Sequence, residues 1–139
     1  VLVSARPDFV FLEGWCVGGH EKCIESEAQN DWETLHDGDA IWKSWSRNAA
    51  RAYQPAWDKC DAMMLLRQET FEAVIDSRWL QEQSNAAESG VWQFADRAAV
   101  AEFCAHYQSW TVGIWKDLTP RADFVIGRTP SYDYYSMRG

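Results

Sequence analysis

The 139-residue chain is 47% hydrophobic and 24% charged, an ordinary balance for one globular domain over 1–139 with room for a real core. Its net charge of −8 opposes nucleic acid and anionic membrane as main partners, since both would repel it at long range. No apolar run nears the roughly 20 residues that span a bilayer, and no secretory pattern is visible, so the expected location is cytoplasmic. Val1 stands where a methionine would open a reading frame, which suggests a processed, truncated or partial frame.

Arg6-Pro7-Asp8 reads as a turn into Phe9-Val10-Phe11-Leu12-Glu13, followed by the glycine turn Gly14-Trp15-Cys16-Val17-Gly18. Four apolar residues ending in a carboxylate fit a buried parallel strand that delivers an acid at its carboxyl end, where α/β sheets bind ligands. Residues 18–30 form a polar loop. Cys16, His20 and Cys23 within it are metal-ligand types, but no fourth ligand lies nearby in sequence, so chance clustering is the plainer reading. Ile41, Trp42, Trp45, Ala49, Ala52 and Tyr53 recur at helical spacing, with Asp37 or Asp39 as N-cap and Pro55 as an interruption.

Ala62–Leu66 is short and wholly apolar, which predicts a second buried parallel strand. Phe71, Val74, Ile75, Trp79 and Leu80 predict a helix over 68–88 that Gly90 closes. One long helix is expected over 95–118, stopped by Pro120, and a third strand over 121–126. A flexible aromatic tail with Tyr132, Tyr134 and Tyr135 follows. Most of the nine tryptophans fall in helical patterns and are expected to fill seams between elements. Cys60 and Cys104 read as buried thiols. Strand, helices, strand, helices, strand predicts an α/β fold: a partial parallel sheet of about three strands with crossover helices.

This order of motifs resembles the carboxyl-terminal half of the glycerate kinase-like P-loop kinases, relatives of uridine kinase and pantothenate kinase. The likeness runs from Arg6 to Ile126. It covers the strand and turn Glu13-Gly14-Trp15-Cys16-Val17-Gly18 and Asn30-Asp31-Trp32-Glu33, similar to the family's Asn-x-Leu-Glu. Asp39, Trp42-Lys43, Asn48 and Tyr53 follow. Arg78-Trp79-Leu80-Gln81-Glu82-Gln83 is similar to Trp-Arg-x-Gln-Gln-Glu, with the first two residues exchanged, which turns the guanidinium about 100° around the helix. Phe103, Tyr107 and Thr111, then Arg121–Ile126, complete the series.

The resemblance implies nucleotide-dependent phosphoryl transfer to a small hydroxylated acceptor. It implies Glu13 as the metal- or water-coordinating acid, Arg78 as a charge-stabilising catalytic residue, and Trp15, Asn30 and Glu33 as substrate-binding residues. Magnesium and ATP would serve as cofactors if a complete site were assembled. Read without the family, Glu13 is a strand-end carboxylate capping a neighbouring helix, and Arg78 pairs with Glu82 on a solvated helix face.

No Gly-x-x-x-x-Gly-Lys-Ser/Thr occurs in these residues. Without that loop, triphosphate binding loses most of its donors, and the chain is expected to be inert alone. Without the strand and helix that carry the loop, apolar surface and strand groups are also left open, which predicts a homo-oligomer. Three functions follow. The chain is a non-catalytic, self-associating binding protein derived from the kinase fold; part of a small-molecule kinase whose phosphate loop lies elsewhere; or an unrelated α/β protein that binds a small-molecule ligand.

Overall fold

The computed structural model describes residues 6–138. It is a mixed α/β structure with a three-stranded sheet and, among the described residues, five α-helices and one 3-10 turn. The order is η1 (Glu21–Cys23), α1 (Asp31–His36), α2 (Ile41–Trp57), β1 (Met64–Gln68), α3 (Phe71–Ser89), α4 (Arg97–Ala105), α5 (Gln108–Leu118), β2 (Phe124–Arg128) and β3 (Tyr134–Arg138). Strand β2 is central. It pairs in parallel with β1, Leu65 opposite Val125, and antiparallel with β3.

The sheet has the expected number of strands but not the expected members. Phe9–Glu13 joins no ladder and lies exposed, so the predicted first strand is not formed among the described residues. An apolar run becomes a strand only when a neighbour accepts its backbone hydrogen bonds, and among the described residues none pairs with this one. The third strand comes instead from the aromatic tail. Tyr134–Arg138 follows a turn in which Asp133 and Thr129 bond each other, so this stretch is ordered as β3 and makes the sheet mixed.

The other two predicted strands form close to their expected bounds. Strand β1 is nonetheless an edge: Leu65 is buried, while Met64 and Leu66 face outward and exposed. Its apolar run reads as two-sided, yet only one side is covered among the described residues.

Helix α2 continues through Pro55, which gives up the backbone bond to the Arg51 carbonyl, and ends two residues later at Trp57. Its N-cap is Ala40, in the left-handed region at φ 57°. The two aspartates expected as caps still serve the helix start. Asp37 accepts the Trp42 and Lys43 N–H groups, and Asp39 accepts that of Ile41. The helix expected over 95–118 is two helices, broken at His106-Tyr107. There the His106 ring sits 3.0 Å from the Phe103 carbonyl, within the last turn of α4. Gly90 ends α3 at φ 72° as expected, while its start is set by Thr70, which caps it by accepting the Ala73 N–H, rather than at position 68.

Two apolar clusters hold these elements. Cys23, Leu65, Ile114, Leu118, Ala122 and Val125 join the sheet, α5 and η1, with Met63, Trp110 and Trp115 against them. Ile75, Val100 and Cys104 join α3 to α4, flanked by Phe71, Trp79 and Phe94. Tryptophans 79, 110 and 115 fill seams as expected, whereas Trp42, Trp45 and Trp92 do not and stay exposed. Cys104 is buried as expected. Cys60 is exposed, contrary to expectation, because it lies beyond the end of α2 with no layer over it.

Candidate functional site

Three of the residues that the family likeness singles out converge on the corner between α4 and α5. Trp15 donates its indole N–H to Thr111 Oγ1 at 3.1 Å and meets the Tyr107 ring edge-on at 4.7 Å. Asn30 caps α1 by accepting the Glu33 N–H, and its amide donates to the Ala105 carbonyl and to Gln108 Oε1. Glu33, on the first turn of α1, is 4% exposed and pairs with Lys43 of α2 at 2.8 Å. Ser109 of α5 donates to its other oxygen, and the Gln29 N–H donates at 2.7 Å.

Glu33 is therefore a saturated carboxylate. Burial pushes its pKa up, but hydrogen bonds from Lys43, Ser109 and Gln29 more than offset this and hold it below the ordinary carboxylate value. Asn30 is equally satisfied. The arrangement ties α1, α2 and the α4–α5 corner together, and it leaves little of either side chain for a ligand. Lys43 and Ser109 complete it, and spacing alone could not pair either with Glu33: Ser109 lies 76 positions away.

Arg78 stands apart from this corner, on α3. Its guanidinium lies 5.3 Å over the Phe94 ring, donates to Gln81 and sits 3.8 Å from Glu82. The i,i+4 reading of Arg78 with Glu82 thus describes its surroundings. Glu82 itself is 1% exposed and accepts the Gln93 and Phe94 N–H groups, fastening the chain after Gly90 back onto α3. Phe94, Phe103, Tyr107 and Trp15 form a row of ring contacts that links Arg78 to the corner without bringing the guanidinium there. Glu13 is exposed and makes no hydrogen bond or ion pair among the described residues, so the helix-capping reading of Glu13 finds no partner.

Gly18 (φ 79°) and Gly19 bring the loop after Trp15 down onto Met63, Leu118 and Ile114, and Trp57 donates to the Gly19 carbonyl. A cavity of about 150 Å³ borders Gly18, Trp57, Met63, Leu118, Arg121 and Asp123. It lies at the amino ends of β1 and β2, the end opposite to that expected for an α/β ligand site.

The same loop places His20 and Cys23 against Asp117 of α5. His20 Nε2 lies 3.0 Å from Asp117 Oδ2, and one ligand atom from each of the three falls within 4.8 Å of the others. Cys16 lies outside that group. Burial, and more weakly the neighbouring Cys23, push its thiol up to about 11. Comparison with family models, curated proteins and solved structures gives no match to this chain. No helix of the described residues is long and apolar enough to cross a membrane.

Proposed function

We propose that this chain is a binding module derived from the glycerate kinase-like fold, non-catalytic by itself and self-associating. The observation that carries this reading is uncovered apolar surface. Phe9, Val10 and Phe11 are 80%, 82% and 93% exposed. Helix α2 turns Ile41, Trp42, Trp45 and Tyr53 outward, and β1 shows Met64 and Leu66 beside an edge that no described strand occupies. Monomeric proteins rarely leave apolar surface of this kind open, and a free strand edge is a template for another chain. A second copy related by a two-fold axis covers the same patches on both molecules at once. The tryptophans suit such a contact, since aromatic residues are enriched in interface cores.

The non-catalytic part rests on the missing phosphate loop. Calorimetry with magnesium and ATP is expected to give no binding heat. Saturable binding of ATP by the chain alone would overturn it.

A second reading has its own support. Among the described residues, Phe9–Leu12 is a strand-like apolar run without a partner, and β1 is a parallel strand without an outer neighbour. One further strand satisfies both, and in the family that this chain resembles, such a strand carries the phosphate loop. On that reading the chain is the acceptor-side part of a nucleotide-dependent kinase for a small, glycerate-like acceptor, with exposed Glu13 free to hold magnesium. A protein extended upstream by a strand and Gly-x-x-x-x-Gly-Lys-Ser/Thr then binds Mg-ATP, and Glu13→Gln weakens its magnesium binding, so more magnesium is needed for the same effect. An extended protein that carries the loop and binds no nucleotide contradicts it.

A further inference from the structure

We propose that His20, Cys23 and Asp117 form a zinc-type metal site with one coordination position open. The claim is independent of the kinase reading, because these residues lie on the η1 turn and the last turn of α5. Among the described residues this is the one group in which three His, Cys, Asp or Glu side chains bring ligand atoms together. Its chemistry is selective: one imidazole, one thiol and one carboxylate match zinc, cobalt or cadmium, whereas magnesium requires an all-oxygen shell.

The geometry fits an ion. Ligand atoms on a tetrahedral zinc, about 2.0–2.3 Å from the metal, stand roughly 3.3–3.7 Å from one another. Here the separations run from the 3.0 Å of His20 and Asp117 to no more than 4.8 Å, so small side-chain rotations bring all three to one centre. The backbone holds the set close. The Cα of Gly113 lies against the Cys23 carbonyl, so closely that a Cβ there would sit 1.7 Å from the oxygen, and η1 is thereby pressed onto α5. Cys23 is 3% exposed, and a cleft of about 310 Å³ bordered by Cys23, Gly113, Lys116, Asp117 and Arg121 gives access from solvent.

Charge and proton balance set the cost. Asp117 Oδ2 accepts both the Arg121 guanidinium and His20, so a metal on that oxygen takes the place of the His20 contact while Arg121 stays paired with the carboxylate. His20 Nδ1 accepts the Lys22 N–H at 3.1 Å, which places the ring proton on Nε2. Coordination through Nε2 shifts that proton to Nδ1 and gives up this hydrogen bond. The Cys23 thiol loses its proton to solvent, since the thiolate is the ligand. Three protein ligands plus water is the composition of a site that keeps a reactive position.

Chelator-stripped protein titrated with cobalt(II) tests the claim. One equivalent is expected to saturate it, with a thiolate-to-cobalt charge-transfer band and a rise in Tm. Cys23→Ser should abolish the band. Asp117→Asn, which keeps the shape of the side chain, should weaken binding at least ~10-fold, in the range of losses when a metal's supporting groups are removed. Exposed Cys60→Ser should change nothing. Because Cys23→Ser disturbs the core, Asp117→Asn and His20→Asn are read alongside it, with folding checked by circular dichroism. The proposal is overturned by failure to saturate at one equivalent, by unchanged binding in folded Asp117→Asn and His20→Asn, or by loss of the band in Cys60→Ser.

Discussion

Lys43 and Glu33 pair at 2.8 Å with side chains only 7% and 5% exposed, so neither charge has water to fall back on. Removing one partner of such a pair leaves the other buried and uncompensated, which typically costs about 3–5 kcal/mol. Lys43→Met is therefore expected to lower stability by that order in chemical denaturation. Glu33 is held below its ordinary value, so it binds its proton less readily folded than unfolded. Its contribution is complete above the ordinary glutamate value of about 4.3 and fades as pH falls through the lowered one. The Tm difference between parent and Lys43→Met should accordingly be full at neutral pH and shrink in acid. Thiol reactivity gives a second check at this scale. Cys60 is exposed, Cys16 is pushed up to about 11, and burial raises Cys23 and Cys104. A disulfide reagent at pH 8 is expected to modify Cys60 first; simultaneous modification of all four would contradict the packing described.

The helices show where local pattern suffices and where it does not. Thr70 and Gly90 bound α3 because capping depends on residues within a few positions of the helix end, and such short-range chemistry is legible in sequence. Gly90→Ala is expected to cost about 1–2 kcal/mol from the left-handed backbone alone, since open space surrounds the site. Strand formation depends on a neighbour that sequence does not show. Phe9–Leu12 and Tyr134–Arg138 both carry strand-forming residues, yet only the second has β2 beside it. The same holds for the sites. The spacing of Cys16, His20 and Cys23 is visible in the chain, but Asp117 enters from the far end of α5, 94 positions after Cys23 by numbering. The closeness of η1 to α5 hinges on Gly113. Gly113→Ala forces a methyl into the Cys23 carbonyl, and overpacking of this kind costs about 3 kcal/mol or more. Hydrogen exchange should show η1 opening in that variant, and an unchanged exchange pattern would refute the contact.

At the scale of the whole molecule, two covered clusters contrast with several uncovered apolar surfaces. The sheet packs on α5 and η1, and α3 packs on α4, while Phe9–Leu12, the outer stripe of α2 and the edge of β1 share no cover among the described residues. The sequence reading expects open apolar surface from the missing phosphate loop, and exposed apolar residues are found, but the first strand on which that expectation rests is not formed among the described residues. The measurement closest to the central claim is the mass of the purified chain by size-exclusion chromatography with light scattering. A dimer is expected, twice the 16.0 kDa of one chain, that Trp42→Arg with Trp45→Arg dissociates. A clean 16.0 kDa monomer at high concentration would contradict it.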